Sequence, residues 1–316
     1  MAPVPTPSIP HGRTARRLEW PHLPRQVRAG IEERCGSSVV EAVSQGGGFT
    51  PGFASVLVCE DGSRHFVKAA SSVAQPVFAE SYREEARKLQ ALPESVPAPR
   101  LQWYDDGDWV VVGLEYVDAH APARPWRTDE LDLALDALEV VADELTPVPD
   151  GMGLEPLADE LADWPAMWDA VRDRDTRPHA DEAAALAATF AEVAAGDTVV
   201  HTDIRDDNVL LTDDGRTLFC DWNWPVAGAD WLDSLILLIS PRGDGLDVER
   251  IVAERRLLRD VPADHVDRVL ALLAGYLLSR ADEPVPASSP HLRDAQRVQG
   301  EAAWGWLCER RGWRDA

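Results

Sequence analysis

The chain changes its hydrophobic period once, near residue 115, and that change separates a strand-rich part from a helix-rich part. Before it, short apolar runs alternate with turn formers. Residues 38–45 and 54–59 are valine-rich and flank Gly46, Gly47, Gly48, Phe49, Thr50, Pro51 and Gly52, which reads as strand, glycine-rich loop, strand. Asp61 and Gly62 then turn the chain into His65, Phe66, Val67 and Lys68, so three antiparallel strands follow one another, with Lys68 near the end of the third. Ala86, Leu89 and Leu92 recur at helical spacing within residues 79–92, an amphipathic helix that carries Glu84 and Glu85 and stops at Pro93. Two more strands are expected at 101–104 and 109–114, around the turn formers Asp105, Asp106, Gly107 and Asp108. A short helix at 23–35, ended by Gly36, precedes the sheet.

Beyond Pro122 and Pro125 helical periodicity takes over, at 129–145, 157–171, 181–195, 232–239, 248–259, 263–278 and 294–311, with a small β-ribbon embedded between Thr198 and Asp221. The class is α+β. A flexible leader at 1–17 is followed by a small lobe at 18–114 with five antiparallel strands and one main helix. A linker at 115–125 leads into a larger, mostly helical lobe at 126–316. Most tryptophans, such as Trp164, Trp168 and Trp231, fall at helical spacing and read as core, and Trp304, Leu307 and Cys308 share one face that docks the tail on the large lobe.

With 316 residues, 45% of them apolar, the chain can bury a sizeable core. Its 31 basic against 55 acidic side chains give a net charge of -24, a field that repels nucleic acid and anionic membranes. An acidic surface could attract cationic substrates, but a solvated exterior that keeps the protein soluble is the simpler explanation of the charge. Cys35, Cys59, Cys220 and Cys308 have no CxxC spacing, which argues against a disulfide framework and a zinc site and fits reduced cytosolic thiols. No run of eighteen apolar residues and no signal-peptide core is found, so a soluble, cytoplasmic protein is expected.

The most informative stretch is His201, Thr202, Asp203, Ile204, Arg205, Asp206, Asp207, Asn208, with Asp221 thirteen residues further on at the end of an apolar run. Phosphoryl transfer needs one carboxylate beside the attacking hydroxyl, and an amide oxygen with a second carboxylate to hold Mg²⁺ against the nucleotide phosphates. A loop bearing Asp203 and Asn208, faced by Asp221 across a ribbon, supplies those groups. Singly, each is better read as a turn residue. Their order together with Lys68 and Glu85 is what turn chemistry does not explain.

These residues resemble the aminoglycoside phosphotransferase family, whose H-x-D-x-x-x-x-N signature is matched by HTDIRDDN and whose later aspartate is matched within DWNW. The resemblance covers roughly residues 36–240 and is strongest from Val199 to Asp233. It implies a two-lobed protein-kinase-like fold with ATP in the cleft between the lobes, GTP being the open alternative. It implies Asp203 as catalytic base, Asn208 and Asp221 as Mg²⁺ ligands, and His201 as a brace for the loop. Lys68 matches the lysine on the α and β phosphates and Glu85 its helix partner, with Glu84 as the fallback register. Gly46, Gly47 and Gly48 match a looser nucleotide-positioning loop, and Glu115 to Val117 the segment that bonds adenine through backbone atoms. Asp206 and Asp207 either line the acceptor site or are solvated loop acids, and Asp230 and Asp233 cap a helix or brace the loop. Trp222 and Trp224 are expected to pack beneath the metal ligand.

Two positions depart from the family pattern. Thr202 stands where glycine is commoner, and Asn223 where many relatives carry a second acid, which weakens a second metal site. The implied activity is transfer of the γ-phosphoryl group to a hydroxyl of a small molecule, an aminoglycoside or another cationic antibiotic. Kinases of choline, homoserine or hexosamine-like acceptors are the rival within the class, and a nucleotide-binding pseudokinase the rival outside it. Absence of D-F-G and A-P-E sets the chain apart from protein kinases. Oligomeric state is not legible.

Overall fold

In the computed structural model, which describes residues 9–10, 14–48, 51–174 and 177–313, the alternating first part builds a single sheet. Helix α1 (Arg25–Cys35) leads into β1 (Val39–Ser44), β2 (Phe53–Cys59), β3 (Arg64–Ser71), α2 (Pro76–Ala91), β4 (Leu101–Asp105) and β5 (Trp109–Glu115). The strands lie in the order β1-β2-β3-β5-β4, every neighbour antiparallel. Gly36 ends α1 at φ 75°, a left-handed turn that glycine enters without strain.

The period-2 alternation gives the sheet two different faces. Leu57, Val67, Ala69 and Val111 pack with Leu23 and Ile31 into a small cluster under α1. Ala70, Val110, Val112 and Leu114 join Tyr82, Ala86 and Leu89 of α2 in the main core. Lys68 has the parity of Ala70 and therefore emerges on the α2 side. That parity is what brings it to Glu85.

Beyond β5 the chain forms β6 (Ala119–His120), α3 (Thr128–Glu144), α4 (Leu157–Glu160), α5 (Met167–Arg174), α6 (Ala180–Ala187) and α7 (Ala191–Ala194). Then come β7 (Thr198–Val200), β8 (Val209–Thr212), β9 (Thr217–Phe219) and β10 (Val226–Gly228). Helices α8 (Leu232–Leu237), α9 (Ile239–Gly243), α10 (Val248–Glu254), α11 (Ala263–Ala281) and α12 (Leu292–Arg311) complete it. The helix expected at 157–171 is broken into α4, a 3₁₀ turn at Trp164–Ala166 and α5, because Pro165 has no N–H to continue the ladder. The helix expected at 181–195 is likewise two short pieces, and 232–239 divides into α8 and α9. The embedded ribbon is β8 with β9, extended by β6, while β7 pairs instead with β10.

Trp168 and Trp231 are buried as expected, and Trp164 stacks on Tyr276 with centroids 3.7 Å apart. The tail helix α12 docks through Trp304, Trp306 and Leu307. The cysteine spacing did not foresee that packing of α1 on the sheet gathers Cys35, Cys59 and His65, whose ligand atoms lie within 4.8 Å of one another. Burial and the neighbouring Cys59 push the Cys35 thiol up to about 12. Among the described residues, no helix is long and apolar enough to cross a membrane.

Candidate active site

Lys68 and Glu85, 5% and 1% exposed, form a buried pair with Nζ 2.7 Å from Oε1 and 2.9 Å from Oε2. Glu84, the alternative partner, turns outward to Arg87 at 2.7 Å. Lys68 Nζ also bonds Oδ1 of Asp221, from the far side of the cleft. Burial would push the lysine down, but Asp221 and Glu85 outweigh it and hold its pKa above the ordinary value. Burial and the nearby Asp221 raise Glu85 despite Lys68, while Lys68, Arg17 and Arg205 keep Asp221 low against its own burial. One ammonium thus holds two carboxylates that a phosphate-bound cation would compete for.

The loop after β7 is fixed from below by Asp233, whose carboxylate accepts the backbone N–H groups of His201 at 2.7 Å and Thr202 at 2.9 Å. Asp233 is therefore the loop's brace, while no side chain caps α8. His201 lies within the core and burial lowers its pKa. Its Nε2–H donates to the Cys220 carbonyl at 2.9 Å and its Nδ1 accepts the Asp203 N–H at 3.3 Å, which assigns the neutral tautomer. Asn208 ends a 3₁₀ turn at Asp206–Asn208, and its Nδ2 donates to the Asp203 carbonyl at 2.8 Å and to Oδ2 at 3.0 Å. With the amide nitrogen so used, the amide oxygen is left for a cation. The Cys220 N–H donates to the Asn208 carbonyl at 3.0 Å, so the ribbon sets Asp221 directly beside Asn208.

Two residues of this site lie in the left-handed region, Thr202 at φ 68° and Asp221 at φ 64°. For a β-branched residue that conformation costs about 1–2 kcal/mol, which explains why glycine suits the position of Thr202. Trp222 is buried edge-on against His201, with centroids 4.6 Å apart, whereas Trp224 is 55% exposed and does not pack beneath Asp221. Asn223 Nδ2 donates to Ser81 of α2 at 2.9 Å, and its buried Oδ1 has no partner among the described residues.

Above the pair, Gly46 and Gly47 close the end of β1 and Gly48 takes φ 73°; Phe49 and Thr50 fall outside the described residues. Residues 14–17 lie along this segment. The Thr14 N–H donates to the Gly46 carbonyl at 2.8 Å, Thr14 Oγ1 to the Gly48 carbonyl at 2.5 Å and Arg17 Nη2 to the Gly47 carbonyl at 2.6 Å. Arg17 Nε is buried and has no hydrogen-bond partner among the described residues. Its charge acts on Glu85 and Asp221, which places the guanidinium in the same polar cluster as Lys68. At the far end of the sheet the Glu115 N–H donates to the Arg100 carbonyl at 2.8 Å and is therefore not available to a base.

Asp203 faces a cavity of about 340 Å³. Burial pushes its carboxyl up to about 6 against the pull of Arg205, although 37% of the side chain stays open to the cleft. Asp206 and Asp207 both line the cavity, as do Arg124 and Arg205. Sequence reasoning passed over Arg17, Arg124 and Arg205. Arg205 stood two places from Asp203 and its charge was the available signal. Arg17 lay in the segment read as leader, and Arg124 pairs with a residue 82 positions away, which no local pattern reveals.

The fold is the two-lobed, kinase-like one of small-molecule phosphotransferases. Among solved structures the chain is similar to an aminoglycoside phosphotransferase from Alicyclobacillus acidocaldarius subsp. acidocaldarius DSM 446, at 16% identity over 93% of this chain and 97% of that one, with a TM-score of 0.55. It is similar to spectinomycin phosphotransferase APH(9)-Ia in complex with ADP and spectinomycin, at 11% identity over 90% and 98%, TM-score 0.62. It is also similar to the choline kinase LicA from Streptococcus pneumoniae, at 12% identity over 88% and 99%, TM-score 0.58. At these identities the likeness is one of fold. No protein-family model matches the chain, and no curated protein sequence does.

Proposed function

We propose that this protein transfers the γ-phosphoryl group of ATP to a hydroxyl of a small molecule, working between a nucleotide-binding lobe at 18–114 and an acceptor-binding lobe at 126–316 joined by 115–125. The observation that carries this reading is the meeting of Lys68 and Glu85 from the sheet side with Asp221, Asn208 and Asp203 from the helical side. Backbone groups of Gly46, Gly47 and Gly48, Lys68 and Arg17 bind the phosphates, and the Glu115 carbonyl with Val117 holds the base. The Asn208 amide oxygen and the Asp221 carboxylate are hard oxygen donors that fit Mg²⁺, which when bound there neutralises phosphate charge. Asp203 orients the acceptor hydroxyl and takes its proton. The hydroxyl oxygen bonds to the γ-phosphorus as the bond to the bridging β–γ oxygen breaks, and ADP leaves. Arg205 balances the charge on Asp203, and His201 and Asp233 hold the loop in register.

Loss of a general base costs about 10²–10⁴ in rate. Asp203→Ala is expected to lower acceptor-dependent ADP release by that order while nucleotide binding, read by calorimetry with AMP-PNP and Mg²⁺, changes little. Offering ATP and GTP in parallel identifies the donor. Near-normal turnover in Asp203→Ala would remove Asp203 from the chemistry, and a wild-type protein that binds nucleotide but transfers nothing to any acceptor would make it a binding protein.

A further inference from the structure

In the cavity beside Asp203 the carboxylates already have partners within the protein. Asp206, buried, takes a two-pronged contact from Arg124, Nη2 to Oδ1 at 2.8 Å together with Nε to Oδ2. Asp207 takes another from Arg205, at 2.9 and 3.2 Å. Asp203 is held by Arg205 and by Asn208, and Asp244 accepts the Trp126 backbone N–H at 2.8 Å. The fork-on-carboxylate geometry of an arginine is hard for a ligand ammonium to displace, because it supplies two directed bonds where the ammonium supplies one.

The remaining wall, mostly from α8, α9, α11 and α12, is mainly apolar and carries no further charge: Ile236, Ile239, Leu273 and Leu277 line it, and its polar groups, among them Ser240, Tyr276 and the amides of Gln296 and Gln299, are neutral. Among the described residues, four aspartates and two arginines line it, a net charge of -2. One of those charges, on Asp203, belongs to the reacting hydroxyl. That leaves Asp244 for a single cation. A ligand bringing several ammonium groups would strip their water against leucine and isoleucine, with only neutral hydroxyl and amide groups and no further carboxylate to replace it.

We propose that the acceptor is a mainly apolar alcohol carrying at most one positive charge, packed between α11 and α12 with its hydroxyl at Asp203, in place of the polycationic sugar that the family resemblance implies. The volume is at the lower end of the roughly 300–1,000 Å³ typical of small-molecule pockets, which suits a compact molecule. This rests on the phosphotransfer reading for the direction of the hydroxyl, and the test keeps the two apart by measuring binding separately from transfer.

Calorimetry on the full chain with AMP-PNP and Mg²⁺ compares a panel of uncharged aryl- and alicyclic diols with kanamycin, which carries four ammonium groups. The expected result is saturable binding of at least one diol, with kanamycin at least tenfold weaker. Arg124→Gln, which uncovers Asp206, and Gln299→Glu, which adds a carboxylate to the wall, are each expected to strengthen kanamycin severalfold relative to the diol. Kanamycin binding more tightly than every diol to the wild type overturns the proposal, as does binding of neither class. A diol that binds yet is never phosphorylated leaves the pocket assignment standing and removes the kinase reading. Phosphorylation of kanamycin alone does the reverse.

Discussion

Asp203 and Asp207 share one guanidinium, that of Arg205, and the sharing bears on the pH at which Asp203 is able to take a proton. Burial lifts the Asp203 carboxyl to about 6, and the arginine works against that rise. A base must be ionised to act. Activity is therefore expected to be lost as pH falls through the carboxyl's pKa and regained as it rises, so kcat/KM should climb about tenfold per pH unit below about 6 and flatten above it. Arg205→Gln removes the opposing charge and should move this limb to higher pH, a direction that a merely structural role for the arginine does not predict. A pH–rate profile of the two proteins checks both. A flat wild-type profile from pH 5 to 7 would mean that Asp203 does not carry the proton.

Among the elements, α11 shows how tightly the pocket wall is packed. Trp168 of α5 lies fully buried with its Nε1–H donating to the Ala271 carbonyl at 2.9 Å, and a Cβ on Gly275 would stand 2.4 Å from that same indole nitrogen. The ring has no room to swing away. Gly275→Ala gains up to about 1 kcal/mol of helix propensity and loses more to overpacking, so a net destabilisation on the order of 1–2 kcal/mol is expected in urea denaturation. Unchanged stability would show that Trp168 moves freely. This contact is of a kind the sequence does not display, since the residues are more than a hundred positions apart. What was legible had local cause. The third strand and the helix at 79–92 followed from hydrophobic period, and the octet from His201 to Asn208 sits in one loop. The choice of Glu85 over Glu84 as the partner of Lys68, by contrast, came from the family resemblance and has its physical cause in the strand parity that puts Lys68 on the α2 face. What was not legible came from packing: the division of 157–171 around Pro165, the pairing of β7 with β10, the gathering of Cys35 with Cys59, and the arginines that pair with aspartates in the pocket.

At the scale of the whole molecule, the two lobes are joined across the cleft by contacts between the sheet side and the loop side. Lys68 reaches Asp221, Asn223 reaches Ser81 of α2 at 2.9 Å, and the Phe219 N–H donates to the Pro97 carbonyl at 2.8 Å. On the phosphotransfer reading, the first of these is the one that nucleotide would disturb, because phosphates would draw Lys68 and a bound cation Asp221. Ligand binding would then exchange an internal ion pair for external ones, and any net gain would be read as added stability. A nucleotide at a hundredfold excess over its Kd stabilises by about 2.7 kcal/mol, which for a chain of this size corresponds to a rise in Tm on the order of 5 °C. Lys68→Met removes the phosphate partner and frees Asp221 of its ammonium. AMP-PNP with Mg²⁺ is expected to raise the wild-type Tm by that amount and the Lys68→Met Tm by under about 1 °C. Because the variant also leaves Glu85 buried without its ammonium, its own starting Tm should be lower, which scanning calorimetry reads in the same experiment. An equal ligand-induced shift in both proteins would place the nucleotide away from Lys68 and dissolve the shared site on which the phosphotransfer reading depends.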